Sequence, residues 1–305
     1  MSYLAHADVG DAVPPISLER VFSVWVFEPV PLVAVVVALG LYVVGVRALA
    51  RRGDLWSWAR TLSFCVGGLG SLVVATSSSL AAYDTVLLSM HMVQHMLLSM
   101  LAPVFLALGA PVTLALRTLP KRSRGWLLAV LHSRLAAAAS FPPVAFAIFV
   151  ASPWVLYLSG WYEVTLESAV LHDLLHLHFV AAGCLFFWPL LGLDPVPGRV
   201  GYGFRMLMVF ATLPFHAFLG VTIMSMDTLI GGEWYLSLGR TWAPSPADDQ
   251  HLAGGILWGA GDLVALVFFG VLFAQWVRQS QREAEREDRR LDREEGAAAG
   301  PAPPS

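Results

Sequence analysis

The 305-residue chain is 57% hydrophobic and only 13% charged, where a soluble domain of average composition carries about 25% charge. So little charge cannot cover a water-soluble globule of this size, and the composition predicts an integral membrane protein. The formal net charge of −3 excludes nothing by itself, because in a membrane protein the placement of Lys and Arg matters more than their sum.

The first 29 residues mix Asp8, Asp11, Pro14 and Pro15 with apolar residues. They lack a basic start followed at once by an apolar run, so the sequence reads as an arm rather than a cleavable signal. His6 in this arm is read as a solvated residue. Seven apolar runs follow, at about 30–50, 61–82, 90–116, 141–159, 168–191, 204–226 and 251–277. Each is close to the ~20 residues that cross the hydrocarbon layer as a helix. The expected fold is all-α, a seven-helix transmembrane bundle spanning 30–277. Between the fifth and sixth runs, GLDPVPGR at 192–199 stops the helix with Pro and Gly. Beyond Arg278 the sequence alternates charges, which extends the last helix into water, and then ends in Ala, Gly and Pro, a disordered composition.

Of the 19 Lys and Arg residues, 17 follow runs one, three, five and seven; the exceptions are Arg20 and Arg240. Cytoplasmic loops hold the Lys/Arg excess. The expected orientation therefore puts the N-terminal arm outside and the 278–305 tail in the cytoplasm.

Histidines concentrate at the ends expected to lie outside. His91 and His95 open the third run in MHMVQHM, and His172 and His176 repeat the i, i+4 spacing at the start of the fifth. That spacing stacks both rings on one helix face. His251 opens the seventh run; His216 lies deeper in the sixth; His178 points away from His176. Met92 and Met96 form a neighbouring stripe, with Met100 deeper. Imidazole and thioether suit soft or borderline transition metals. The candidate metal ligands are His91, His95, His172, His176, His216, His251, Met92 and Met96, with Asp173 and Asp262 as carboxylates orienting them. Asp262 is expected to hold His216 across spans six and seven, since a lone carboxylate at bilayer depth costs about 2.5–3.5 kcal/mol. A plain structural Asp–His contact is the alternative. His132 reads as a loop residue, and Cys65 and Cys184, without a CxxC pattern, as apolar filling.

The strings HMVQHMLLSMLAPVFLALGAP, HDLLHLHFVAAGCLFFWPLLGLDPVPG, LPFHAFLGVTIM and DQHLAGGILWGAGDL together resemble the CtaG-type family of cytochrome c oxidase assembly factors. The resemblance implies a multi-pass bacterial plasma-membrane protein that works with oxidase subunits; since no nucleophile–base–orienter arrangement is visible in the sequence, a metal-handling or scaffolding factor is expected rather than an enzyme. Copper is its implied ligand, as Cu(I), received from an extracytoplasmic copper chaperone and delivered to the oxidase. His91, His95, His172, His176, His216 and His251 match the family's histidines. Two other readings stay open: a metal-free scaffold for oxidase subunits, and a b-type haem protein with axial histidines from separate helices. A retinal protein is excluded, because the single lysine, Lys121, falls in a loop. Nothing in the sequence points to nucleic acid.

Overall fold

The computed structural model describes residues 14–195, 197 and 200–298, so His6 and residues 299–305 of the Ala/Gly/Pro end fall outside the described residues, while 296–298 continue the last helix. These residues form helices and connecting turns, with no strand among them. Six helices are long and apolar enough to cross a membrane: Pro29–Ala50, Trp58–Tyr83, Leu88–Thr118, Ala169–Leu191, Tyr202–Ser225 and the apolar part of Pro246–Ala298. The remaining predicted span is a shorter helix, Pro142–Leu158, which turns by 75° into Trp161–Glu167; counted as one broken span it is the seventh. The outward surface is apolar, for instance Val33, Leu41, Leu207, Phe218 and Leu263, all more than half exposed. Water would not tolerate an apolar surface of that extent. The chain is a helical multi-pass membrane protein.

The third span is central, packing against the second, fifth and seventh. Pro103 interrupts it about two turns below His95. Proline has no N–H to offer and its ring crowds the carbonyl four residues back, and the backbone widens into a π-helical turn over Leu97–Leu101. The carbonyl of Ser99, left over by this break, meets Gly183 of the fifth span so closely that an added Cβ would stand 2.0 Å from its oxygen. Spans six and seven approach through a second such contact, Gly220 against Gly254, each beside the other's carbonyl. Small residues allow this close backbone approach between membrane helices, where water supplies no drive for association.

Buried acids fasten the helix ends. Asp249, at the start of the last helix, accepts from the backbone N–H of Leu88 at 2.6 Å and from the hydroxyl of Ser89. At the opposite end of the bundle, Asp194 accepts from the N–H of Thr113 at 2.7 Å and from Trp188 Nε1 at 2.9 Å. Both carboxylates sit where a helix start offers free N–H groups and a partial positive charge.

Candidate metal centre

The turns between spans two and three, four and five, and six and seven meet at one end of the bundle. Trp234, in the loop after span six, donates to the carbonyl of Thr85 at 2.7 Å. The N-terminal arm crosses the same end: Val26 donates to Ser77 O at 2.8 Å, and Ser79 and Tyr83 donate to Val21 O and Pro14 O. Beneath this cover lies a buried polar cluster.

Its centre is Asp84, in the turn after the second span and 4% exposed. Asp84 Oδ2 stands 3.0 Å from His172 Nε2 and 3.8 Å from His176 Nε2. The i, i+4 spacing of the two histidines sets both rings toward it, with centroids 4.5 Å apart. Gln94 closes the network. Its amide nitrogen donates to Asp84 Oδ2 at 3.0 Å and to Ala75 O at 2.9 Å, and its oxygen accepts from His176 Nε2 at 2.9 Å. An amide oxygen only accepts, so the Nε2 of His176 carries the proton. Burial pushes the Asp84 carboxyl up, but the neighbouring His172 and the hydrogen bonds from His172 and Gln94 outweigh it, leaving it below its ordinary value. Asp84 is a carboxylate, and His172 faces it as a donor, with the backbone of Thr165 as a further partner.

One carboxylate oxygen and two imidazole nitrogens within 4.8 Å of one another form a group able to hold a metal ion. Donors around a tetrahedral ion at about 2.0–2.2 Å stand roughly 3.3–3.6 Å apart, and the Asp84 distances to the two nitrogens bracket that value. The residues fit a borderline divalent ion such as copper or zinc, with the Nε2 protons displaced.

The other predicted residues fall into two sets. His91 and His95 share one partner, the hydroxyl of Tyr157, which lies 3.2 Å from His91 Nε2 and 2.9 Å from His95 Nδ1. The ring of His91 stands 5.9 Å from that of His172, and its Nδ1 is buried without a hydrogen bond. His95 is stacked on Phe179 at 4.0 Å. These two histidines form the wall beside the cluster. Met92 and Met96 are packed in the apolar core. Asp173 is exposed at the rim; its charge and that of Asp84, after burial itself, push the carboxyl of Glu28 up.

His216 and His251 stand outside this group. His216 Nδ1 donates to the carbonyl of Thr212 at 3.1 Å and its ring meets Phe149 edge-on. The expected pairing with Asp262 does not occur. Gly261 is the residue against His216, its Cβ direction pointing to the ring at 3.2 Å, and one residue further along a helix is 100° around it. Asp262 therefore turns aside, one of its oxygens buried without a hydrogen bond. His251 is exposed, with its Nδ1 3.4 Å from Met224 O. Asp84, Gln94 and Tyr157 were not anticipated from sequence: none has a spacing motif, although Gln94 lies between the two histidines of HMVQH.

A protein of Mycobacterium bovis and one of Mycobacterium tuberculosis are each 39% identical over 276 residues, covering 88% of this chain and 42% of theirs. A protein of Mycobacterium leprae is 37% identical over the same length. The chain thus spans less than half the length of these relatives. No solved structure matches. The sequence pattern of the cytochrome c oxidase caa3 assembly factors matches residues 40–279, a stretch containing every residue of the buried cluster, and the chain belongs to that family.

Proposed function

We propose that this assembly factor takes up a copper ion as cargo at Asp84, His172 and His176 and hands it to a subunit of the oxidase. The carrying observation is the convergence of those three donors under the N-terminal arm. The cluster lies at the end of the bundle away from most of the Lys and Arg, which supports an extracytoplasmic position in a bacterial plasma membrane with the N-terminus outside. Delivery from an extracytoplasmic copper chaperone fits that position. The role is carriage rather than catalysis. His91 and His95, one ring away, are available as relay ligands once Tyr157 releases them. The nitrogen and oxygen donors favour Cu(II) or Cu(I) held by imidazole over a thioether site.

A second reading has its own support. Gln94 has both N–H groups and its oxygen satisfied, so the cluster also works as a polar clasp joining spans two, three and five without metal. Copper measured per chain in detergent-purified protein, wild type beside His172→Ala/His176→Ala, separates the two. About one copper per chain, lost in the double variant while oxidase assembly fails, supports carriage. A copper-free wild type that resists loading, with a double variant that still assembles oxidase, establishes the clasp.

A further inference from the structure

The 75° turn between Pro142–Leu158 and Trp161–Glu167 leaves a groove against the fifth span that the cluster does not use. It has a volume of about 560 Å³ and is lined by Ile148, Val155, Trp161, Leu174, His178 and Phe179, among others. That volume falls in the range of small-ligand sites, about 300–1,000 Å³. The groove is apolar and opens sideways, toward the hydrocarbon, because Val155, Trp161 and Leu174 are largely exposed. Its polar feature is the pair His178 and Ser152.

The hydrogen bonding of that pair fixes what the groove wants. Ser152 has one hydroxyl proton, and it goes to the carbonyl of Ile148. Its contact with His178 Nε2 at 2.8 Å therefore has the histidine as donor. A neutral imidazole with its proton on Nε2 keeps a bare lone pair on Nδ1. The described residues offer that nitrogen no hydrogen bond, and at hydrocarbon depth there is no water to supply one. Trp161, largely exposed, supplies an aromatic ring at the same groove, and Phe179, buried and stacked on His95, closes its floor.

The geometry points to a binding site for a lipid-soluble hydroquinone, its ring against Trp161 and one hydroxyl donating to His178 Nδ1. An acyl chain fills the groove but leaves the nitrogen unpaired. A quinone brings acceptors only. A diacylglycerol brings a hydroxyl without a ring. The site is independent of the copper reading, since His178 and Ser152 touch none of the three metal-binding side chains named above.

The test is a titration of the detergent-purified full chain with a short-tailed naphthohydroquinone under reducing, anaerobic conditions, read by quenching of Trp161 fluorescence, with Trp161→Phe to assign the signal. Saturable binding is expected, weakened roughly five- to tenfold by His178→Phe, the loss of one neutral hydrogen bond, and weakened similarly for the oxidised quinone. Leu174→Trp, at a lipid-exposed position, should abolish binding by filling the groove and carries the test if the histidine variant fails to fold. Equal binding of the same tail on plain naphthalene, or indifference to both variants, overturns the proposal. Tighter binding of a short-chain diacylglycerol overturns the hydroquinone assignment.

Discussion

At the residue scale, Gln94 is the most informative side chain, because its amide holds two carbonyl-type oxygens and one imidazole at once. Gln94→Leu removes all three bonds and leaves Asp84, Ala75 O and His176 short of a partner. A buried group left without its hydrogen bond costs about 1–3 kcal/mol, so a clear drop in unfolding temperature in detergent is expected. Metal titration provides a second check. His176 Nε2 carries a proton toward Gln94 and His172 Nε2 one toward the Asp84 carboxylate, so an ion bound at both nitrogens requires each ring to move its proton to Nδ1, with no net release from a neutral imidazole. Affinity for Cu(II) should fall as the pH drops, because protons compete for the same nitrogens, and it should fall again in His176→Ala. Uptake indifferent both to pH and to His176→Ala would place the ion elsewhere. The i, i+4 histidine pairs were legible because helical spacing is a local property of the chain. Asp84 was not: a single acid in a turn has no periodicity, and its meeting with His172 depends on how spans two and five pack.

At the element scale, the cluster exists because spans three and five lie unusually close. Pro103 opens the third span and Gly183 accepts the displaced Ser99 carbonyl. Gly183→Ala would place a methyl 2.0 Å from that oxygen, and since the obstacle is backbone, the helices must separate. The expected cost is about 1–3 kcal/mol or more, as for other overpacking changes, with copper uptake reduced although no ligand is touched. Gly125→Ala is the control. It lies in the helix Lys121–Leu131, nothing stands within 4 Å of its Cβ direction, and alanine should stabilise that helix slightly. Equal effects of the two substitutions would remove the packing argument. The apolar runs themselves were readable from length and hydropathy, including the short fourth one. Its 75° bend was not, since it depends on how Trp161–Glu167 docks rather than on any break in hydropathy. The Asp262–His216 pairing failed for a related reason: an offset of one residue turns a helix face by 100°, and sequence periodicity does not set helix rotation to that precision.

At the scale of the whole molecule, charge and chemistry divide between the two ends. Seventeen of 19 Lys and Arg residues follow the odd-numbered spans, whereas Asp84, His172 and His176 gather at the even-numbered turns under the arm. If the basic end is cytoplasmic, the cluster faces the side where copper moves between extracytoplasmic proteins. This arrangement is testable without any metal. In a background with Cys65→Ser and Cys184→Ser, Leu236→Cys reports the loop after span six and Leu55→Cys the loop after span one, both native side chains being well exposed. A membrane-impermeant maleimide on intact cells should label the first and reach the second only after permeabilisation. The reverse pattern would put the cluster in the cytoplasm, where thiol-rich carriers compete strongly for soft metal ions, and an imidazole–carboxylate site would then be poorly matched to holding copper. Labelling of the first position alone leaves the donors on the side where such a site holds copper without thiolate competition, and gives the N-terminal arm its place as the cover through which the ion must pass.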